Sequence, residues 1–566
     1  MCGVGGFFNF LDGNKALSKS IEKALWRRGP DSSGISSFKN SSTSLVHTRL
    51  EIMDLGKTGI QPAYSVCNRY AIIFNGEIYN YKDLSKKYSI ERPFSEADVI
   101  LFLFKKFGTS AFNKLNGMFS IVIYDIYEDV IYLTRDRFGV KPLYFIERNN
   151  SVFFASEIGV LRELFGADVP RPESFMAYLK YGISDNSIYP SLYEEIQQID
   201  PGKCFKFTTY GKAITTYYSV LEKFDHSPYD LDPEELMSIV QDSVILRANS
   251  DVNFVLNLSG GVDSSIIHLL LSQHNISNYS ALYTASYNKD DFDSVNARNF
   301  CKLTEIDLEH NIYNIEVPNL LHEIKKHQGI CDGPVGGMGT IGYAKLHDQI
   351  SKSGYKMALD GQGSDEILLG YKHYSNNSPP NFETHIDGTL DTSNSLLMKE
   401  FELKKPSLPQ VKSYVRQKQY FDIIYSKLPR VMRMNDRLSM YYGIELREPF
   451  LDFRIFDATV VQSVGSIMGD QGKDVFRKIY KKYTGLNAKA KNSAAVPQKE
   501  IMLHNKELIN QFLKRNLSVF ETISLDMDGL KKVIYNDNDK LFSKDNTGLI
   551  WRLINGAILL DANINN

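Results

Sequence analysis

Apolar and polar residues alternate over short runs along the first third of the chain, in segments such as YAIIFNGEIYN, FSIVIYD and VIYLTRD. Glycine, asparagine and aspartate separate the runs, as they do where tight turns join neighbouring strands. This pattern predicts antiparallel sheets. The segment ADVILFLFKKFG (97–108) has apolar residues at helical spacing instead, so we expect helices between some of the strands.

The pattern changes near residue 230. The segment DPEELMSIVQDSVILRAN (232–249) begins with Asp232 as a suitable N-cap and Pro233 at the first helical position, followed by apolar residues at helical spacing. Beyond it, strand-like runs (NFVLNL, YSALYTAS, YKMALD) alternate with helical ones (SSIIHLLLSQH, GYAKLHDQISKSG). This alternation predicts a parallel sheet wrapped by helices.

Length and pattern together predict two α/β domains, because 566 residues exceed what one core usually holds. We expect the N-terminal domain of antiparallel sheets at 2–215 and the C-terminal domain, a doubly wound parallel sheet, at 233–566. The polar segment 216–232 is interpreted as the linker. A second polar segment, 373–395, is interpreted as a mobile loop or lid.

The composition is that of a soluble globular protein, with 43% hydrophobic and 23% charged residues. A net charge of −2 offers no basic field for nucleic acid or an anionic membrane. The longest apolar run, VILFLF (99–104), is too short to cross a membrane. We therefore expect no nucleic-acid partner and no membrane insertion. The oligomeric state is left open, a homodimer included.

The five cysteines are scattered and form no CxxC pair, which is typical of a reducing, cytoplasmic setting without disulfides. Cys2 stands out by its position. Removal of Met1 would place a thiol and a free α-amine on one residue, and the amine could act as general base for the thiol. Taken alone, Cys2 is more simply explained as an incidental or buried cysteine.

Four more segments change the interpretation of Cys2. RRGPDSSG (27–34), HTRLEIMD (47–54), FNGEIYNY (74–81) and TRDRFGVKPLY (134–144) follow MCGVGGF in that order. Together the five resemble the glutaminase domain of class II, N-terminal-nucleophile amidotransferases. The resemblance implies an α/β/β/α sandwich of antiparallel sheets for the N-terminal domain, with glutamine as a substrate.

The resemblance also implies roles for individual residues. Cys2 would be the nucleophile, and Asn75 with the Gly76 N–H would form the oxyanion hole. The glutamine-binding residues would be Arg49, as a bidentate clamp on the carboxylate, together with Asn75, Glu77 and Glu96. Glu96 departs from the family pattern, which usually has aspartate there. It keeps the charge that an ammonium group needs, and its extra methylene is expected to alter glutamine affinity.

The segment LNLSGGVDSS (256–265) places a Ser-Gly-Gly turn between an apolar strand and a helix start. Glycine allows close backbone approach, and N–H groups at a helix start bind phosphate. The segment resembles the PP-loop of ATP pyrophosphatases, which cleave ATP between its α- and β-phosphates to adenylate a substrate. ALDGQGSDEILLGY (358–371), MNDRLSMYYGIELREPFLD (434–452) and GKDVFRK (472–478) resemble glutamine-dependent asparagine synthetases, so the resemblance covers nearly the whole chain.

This second resemblance implies ATP and magnesium. The residues expected to contact ATP are Leu258, Ser259, Gly260, Gly261, Asp263, Ser264, Ser265 and Gly361. Asp263 and Asp365 would hold magnesium on the pyrophosphate, and Lys473 would stabilise charge at the adenylate step.

Gln362 is the departure that bears on the acceptor. Asparagine synthetases usually have glutamate there, and a neutral amide cannot act as a base or orient an ammonium in the same way. The predicted reaction is glutamine-dependent conversion of a carboxylate to an amide, giving AMP and pyrophosphate, with aspartate as acceptor. A uronic acid or nucleotide-sugar carboxylate of surface polysaccharide synthesis is the alternative, which NSAAVPQKE (492–500) faintly favours. A lactam-forming synthetase and a catalytically silent binding protein are further alternatives.

Overall fold

The computed structural model describes residues 2–40, 42–56, 59–90, 95–224, 232–274, 276–288, 291–379, 404, 407–488, 496–523, 527–536 and 547–561. Three segments singled out from the sequence lie partly outside these residues: 225–231 of the expected linker, 380–395 of the expected loop and 492–495 of NSAAVPQKE.

The N-terminal domain contains two antiparallel sheets. Its strands are β1 (Cys2–Phe8), β2 (Ser32–Phe38), β3 (Thr43–Arg49), β4 (Ala63–Tyr64), β5 (Tyr70–Ile78), β6 (Gly117–Asp125), β7 (Val130–Arg135), β8 (Tyr144–Arg148), β9 (Ser151–Ala155), β10 (Gln197–Gln198), β11 (Lys203–Thr208) and β12 (Gly211–Thr216). The strand orders are β10-β8-β9-β1-β3-β2 and β12-β11-β7-β6-β5-β4. The helices are α1 (Lys15–Leu25), α2 (Tyr81–Lys87), α3 (Glu96–Phe107), α4 (Ile158–Phe165) and α5 (Pro172–Tyr181), and α6 (Val220–Lys223) lies within the expected linker.

The two sheets pack face to face, and helices cover their outer sides. Ala71 and Ile73 of β5 share a buried cluster with Val4 of β1, whereas Ile72 and Phe74 of β5 pack in the cluster that contains α3. The other sheet packs on α1, α4 and α5. Both faces of a central strand are therefore buried, which explains why YAIIF is continuously apolar instead of alternating. The expected α/β/β/α sandwich is confirmed.

The C-terminal domain has a parallel sheet of β13 (Phe254–Asn257), β14 (Tyr279–Ser286), β15 (Glu309–Asn314), β16 (Met357–Leu359) and β17 (Glu445–Arg447). Its helices are α7 (Pro233–Ala248), α8 (Val262–Ser272), α9 (Phe292–Leu303), α10 (Leu320–Cys331), α11 (Met338–Lys352), α12 (Ser364–Ile367), α13 (Tyr414–Ile424), α14 (Lys427–Tyr441), α15 (Phe453–Val460), α16 (Val464–Met468), α17 (Asp474–Thr484), α18 (Gln498–His504), α19 (Lys506–Arg515), α20 (Met527–Asn536) and α21 (Thr547–Leu560). Short 3₁₀ turns occur at Trp26–Arg28, Gly108–Lys114, Lys372–Ser375, Pro449–Leu451 and Leu517–Ile523.

The strand order β15-β14-β13-β16-β17 creates a crevice beyond β13. The chain leaves β13 for β14 on one side and later returns to β16 on the other side. Helices pack on both faces of the sheet, as the alternating pattern predicted. In such sheets, ligands bind beyond the carboxyl ends of the strands at the point where the strand order reverses. The loop that follows β13 lies at that point.

The two domains meet through buried polar contacts. The Arg28 guanidinium donates to both oxygens of Asp436 on α14, at 2.8 and 3.1 Å. The last helix, α21, packs on α5 of the N-terminal domain, and Arg552 Nε donates to the Leu179 carbonyl at 2.7 Å. In the described part of the chain, no helix has the length and apolar character needed to span a membrane.

Candidate active site

Cys2 begins β1 and lies beside Asn75 of the facing sheet. The Cys2 backbone N–H donates to Asn75 Oδ1 at 3.0 Å. Asn75 is fully buried, and within the described residues its Nδ2 has no hydrogen-bond partner. Gly76 has φ = 139°, and a Cβ there would lie 1.9 Å from the Met118 carbonyl oxygen, so only glycine fits. An uncommitted amide donor thus lies next to the cysteine.

The protonation of the Cys2 thiol is set by opposing effects. Burial raises the pKa of the thiol, whereas the positive amino terminus and the Leu50 N–H lower it. The net result is a pKa above the usual range. Because the thiolate is the reactive form, a thiol in this position needs a base to take its proton.

One pocket brings three of the four expected glutamine-binding residues together with Cys2; the fourth, Asn75, contacts Cys2 but is not among the described residues that line the pocket. Arg49, Glu77 and Glu96 all line it. Arg49 also holds the loop that follows β3: its Nη atoms donate to the Glu51 carboxylate and to the carbonyls of Met53, Asp54 and Gly56, at distances of 2.5–3.0 Å. The Arg49 guanidinium therefore stabilises the loop that forms one wall of the pocket.

Two acidic side chains face the other part of the pocket. Glu96 is the first residue of α3, where Ser95 and Asp98 form a capping box. Glu96 Oε1 accepts the Ile78 N–H at 2.6 Å. Burial, together with the charge of Glu77, raises the pKa of Glu96 well above its usual value. Burial likewise raises the pKa of Glu77, although Arg447 opposes the shift. Two buried carboxyls in one pocket suit a substrate ammonium group, whose charge would favour their ionised forms.

These raised pKa values predict a pH dependence for glutamine use. As the pH falls through the raised pKa, a carboxyl gains a proton and loses its attraction for the glutamine ammonium. We expect the KM for glutamine to increase about tenfold per pH unit on that limb, the slope for one linked proton. Steady-state glutamate release between about pH 8 and about pH 5.5 measures it, with Glu96→Gln expected to weaken binding at the higher pH and to flatten the profile. A KM that is constant across this range would contradict the assignment.

The PP-loop segment has an ordered internal geometry. Ser264 Oγ accepts the Ser259 N–H at 3.2 Å, and Ser259 Oγ accepts the Gly261 N–H at 3.3 Å. Gly260 has φ = 68°, and a Cβ there would lie 2.3 Å from the Ala297 backbone nitrogen. The loop leads directly into α8, an 11-residue helix whose first N–H groups lie beside it. This is an arrangement that binds phosphate.

Most of the expected ATP-contacting residues line one cleft. They are Ser259, Gly260, Gly261, Asp263, Ser264 and Gly361, with the acceptor candidate Gln362 and the metal candidate Asp365 beside them. Leu258 lies beneath the cleft, where its N–H donates to the Tyr283 carbonyl at 2.8 Å. Ser265 is fully buried and is not among the described residues that line the cleft.

Lys473 lies between the two predicted metal ligands. Its Nζ is 2.7 Å from both oxygens of Asp263 and 2.7 Å from Asp365 Oδ1, and it donates to Ser364 Oγ at 3.0 Å. A Cβ at Gly370 would lie 2.1 Å from Lys473 Cε, so the glycine leaves space for this cluster. Two carboxylates beside a phosphate-binding loop fit magnesium, which takes its remaining ligands from phosphate and water. Within the described ranges, no group of three or more His, Cys, Asp or Glu residues could hold a metal by itself.

Asp360 is a residue of the cleft whose surroundings the sequence did not reveal. Its Oδ2 accepts from Asn257 Nδ2 at 2.9 Å and from the Tyr343 hydroxyl at 3.0 Å, and its Oδ1 accepts the Gln362 N–H at 3.1 Å. Burial raises the pKa of Asp360 to about 6. Its position directly after the apolar strand β16 was the available signal, because residues there lie at the carboxyl edge of a parallel sheet.

Sequence reasoning also missed β17, which reaches both sites. Arg447 Nη2 is 3.3 Å from Glu77 Oε1 in the Cys2 pocket, and Arg447 Nε donates to Glu445. The Arg447 carbonyl accepts the Asp360 N–H at 3.0 Å in the cleft. One residue of the C-terminal domain therefore contacts the Cys2 pocket with its side chain and the cleft beyond β13 with its main chain.

Comparison with known proteins matches both domains. Residues 1–218 match the family described as "Glutamine amidotransferase domain", and residues 235–486 match "Asparagine synthase". A putative glutamine-hydrolysing asparagine synthetase of Methanocaldococcus jannaschii is 29% identical over 406 residues, covering 66% of this chain and 76% of the relative. Asparagine synthetase 2 of Bacillus subtilis is 27% identical over 505 residues, covering 81% of this chain and 66% of the relative.

A third relative bears a different name: amidase chry2 of Gibberella zeae is 25% identical over 408 residues, covering 66% of this chain and 59% of the relative. The two family matches occur in the order of the two sites described above, the Cys2 pocket first and the cleft beyond β13 second. The chain therefore belongs to the glutamine-hydrolysing asparagine synthetase family and is a glutamine-dependent carbon–nitrogen ligase.

Proposed function

We propose that the protein hydrolyses glutamine at Cys2, activates a carboxylate with ATP in the cleft beyond β13, and joins the released ammonia to that carboxylate as an amide. The observation that carries the proposal is the double contact of Arg447, with Glu77 in one site and with Asp360 in the other. Because Arg447 contacts both sites, the two sites are close enough for ammonia released in one to be used in the other. The proposed domains are 2–215 for glutamine hydrolysis and 233–566 for amide synthesis.

In the first half-reaction, Cys2 Sγ attacks the side-chain carbonyl carbon of glutamine. The α-amine of Cys2, free once Met1 is removed, takes the thiol proton and passes it to the leaving ammonia. Asn75 Nδ2 and the Gly76 N–H stabilise the tetrahedral oxyanion. Arg49 binds the glutamine carboxylate, and Glu77 and Glu96 bind its ammonium group. Water then cleaves the resulting thioester to glutamate.

In the second half-reaction, an acceptor carboxylate oxygen attacks the α-phosphorus of ATP, and pyrophosphate leaves. The serines and glycines that follow β13 hold the phosphates through their N–H and hydroxyl groups. Lys473 stabilises the charge that develops at the α-phosphate. Asp263 and Asp365 would hold magnesium, which when bound neutralises charge on the pyrophosphate.

All five cysteines are free, which agrees with the reducing cytoplasm as the proposed setting.

The proposed acceptor is aspartate, because two of the three relatives named above are asparagine synthetases. Gln362 favours a second candidate, the carboxylate of a uronic acid or nucleotide sugar. The Gln362 side chain lines the ATP cleft and is neutral. A neutral side chain there cannot pair with the ammonium group of aspartate. A sugar acid has no ammonium group and therefore needs no such partner.

Acceptor-dependent pyrophosphate release tests the proposal. The purified full-length protein is supplied with ATP, magnesium and glutamine, and with aspartate or a panel of uronic acids and nucleotide-sugar acids. We expect one acceptor class to give pyrophosphate, AMP and an amide in equal amounts. Turnover with aspartate assigns asparagine as product, and turnover with a sugar acid alone assigns the second candidate. Glutamate release without pyrophosphate under every condition would contradict the proposed ligase reaction.

A further inference from the structure

The amide-forming step needs a group that accepts a proton. When ammonia attacks an acyl-adenylate, the new C–N bond leaves a positively charged nitrogen that must lose a proton. The neutral amide of Gln362 cannot take it. Asp360, two residues earlier, already accepts hydrogen bonds from Asn257, Tyr343 and the Gln362 N–H. Asp263 and Asp365 both contact Lys473.

Glu448 offers a carboxylate at the same edge of the sheet. It directly follows β17, and Arg447 at the end of β17 is in register with Leu359 at the end of β16. Glu448 and Asp360 are thus the first residues beyond two neighbouring parallel strands, whose backbones lie about 4.8 Å apart. The Asp360 N–H bond to the Arg447 carbonyl, at 3.0 Å, fixes this alignment.

The Glu448 side chain is buried, and among the described residues its Oε2 has no hydrogen-bond partner. The groups that act on it come from three elements: Lys141 after β7, Asn435 and Asp436 on α14, and Asp360 after β16. Burial raises the pKa of Glu448 to about 8; Lys141 and Asn435 oppose the shift, and Asp360 and Asp436 add to it. A carboxyl that titrates near the working pH is suited to accept and release a proton.

The strand that precedes Glu448, β17, begins at the Cys2 pocket. Glu445, at its start, acts electrostatically on the Cys2 thiol, and Arg447 contacts Glu77. From Glu445 to Glu448 the extended backbone covers about 10 Å. Ammonia that moves from Cys2 along β17 would pass Glu448 before it reaches Asp360, which lines the cleft.

We propose that Glu448 is the proton acceptor of the amide-forming step and supplies the carboxylate that position 362 lacks. This inference rests on the proposed function. Ammonia nitrogen bonds to the acyl carbon, the bond from that carbon to the AMP oxygen breaks, and AMP leaves with the electron pair. The proton released from nitrogen goes to Glu448 Oε2 and then to water.

The test uses the full-length protein with ATP, glutamine and the acceptor identified by the pyrophosphate assay. In Glu448→Gln, we expect the single-turnover burst of pyrophosphate to remain while amide formation slows about 100-fold or more, the usual contribution of a general base. Adding Gln362→Glu to this variant is expected to restore at least a tenth of the amide rate. In the unsubstituted protein, the amide rate with glutamine should increase with pH up to about 8, and Glu448→Gln should lose this limb.

Glu323→Gln is the matched control. Glu323 is a buried glutamate on α10 that contacts Lys345 at 2.8 Å, and it lies away from the ends of β16 and β17 where Asp360 and Glu448 are located. The control is expected to keep the amide yield per pyrophosphate. Equal slowing of pyrophosphate and amide formation in Glu448→Gln, or failure of the double variant to recover, would overturn the role of Glu448. Absence of acceptor-dependent pyrophosphate release in the unsubstituted protein would instead overturn the proposed function, and this inference with it.

Discussion

Cys2→Ala is expected to abolish amide formation from glutamine and to retain amide formation from added ammonia. The substitution removes the only atom that the proposed mechanism uses to attack glutamine, so the glutamine-dependent rate should fall about ten-thousand-fold or more. The ATP cleft is formed by other elements, beyond the carboxyl ends of β13 and β16. Amide formation is measured with each nitrogen source at saturating ATP and acceptor.

Cys67→Ala is the matched control, because Cys67 is an exposed free cysteine of the same domain. It should use glutamine and ammonia as the unsubstituted protein does. Loss of both activities in Cys2→Ala, with its thermal unfolding unchanged, would show that Cys2 acts in amide synthesis itself. Retention of both activities would remove Cys2 from the reaction.

Lys473→Met is expected to reduce acceptor-dependent pyrophosphate release about a thousandfold, the size of effect typical of a preorganised charge at a transition state. Lys473 Nζ is within 2.7 Å of Asp263 and Asp365. The substitution removes the cation that would stabilise the α-phosphate and leaves half-buried Asp263 and buried Asp365 without their lysine partner. Pyrophosphate release is followed in single-turnover and steady-state experiments.

Lys478→Met controls for the loss of a lysine on the same helix. The Lys478 side chain is 52% exposed and pairs with Asp474 on the surface of α17. Its pyrophosphate release should match that of the unsubstituted protein. Magnesium titrations of Lys473→Met separate two explanations: recovery at high magnesium would mean that the lysine acts mainly through the acidic pair. A full rate of release at ordinary magnesium would contradict a catalytic role for Lys473.

The sequence was most informative where a function depends on consecutive residues. Asn75, Gly76 and Glu77 form one tripeptide on β5, and the structure places all three beside Cys2. Likewise, Ser259 to Ser264 form one strand–loop–helix segment, so their joint position follows from local geometry. The four-layer arrangement required the resemblance as well, because both faces of β5 are apolar and the sequence does not show which face meets the other sheet.

The sequence was less informative where neighbours in the chain face different ways. Ser264 and Ser265 were both expected at the phosphates, but successive residues of a helix differ by about 100° in direction. Ser264 lines the cleft and Ser265 is buried. Contacts between domains were also hidden. The contact of Arg447 with Glu77 depends on how two separately folded domains pack, and no local pattern encodes it.

The transfer of nitrogen between the two sites is the central claim, and isotope labelling tests it most directly. The protein is supplied with glutamine labelled with ¹⁵N at the side-chain amide, in the presence of a large excess of unlabelled ammonium, with ATP and the acceptor. If ammonia passes from the Cys2 pocket to the ATP cleft within the protein, the product amide carries nearly the full ¹⁵N content of the glutamine. If the product instead carries the isotope content of the bulk ammonium, the two sites do not act in sequence and the central claim is wrong.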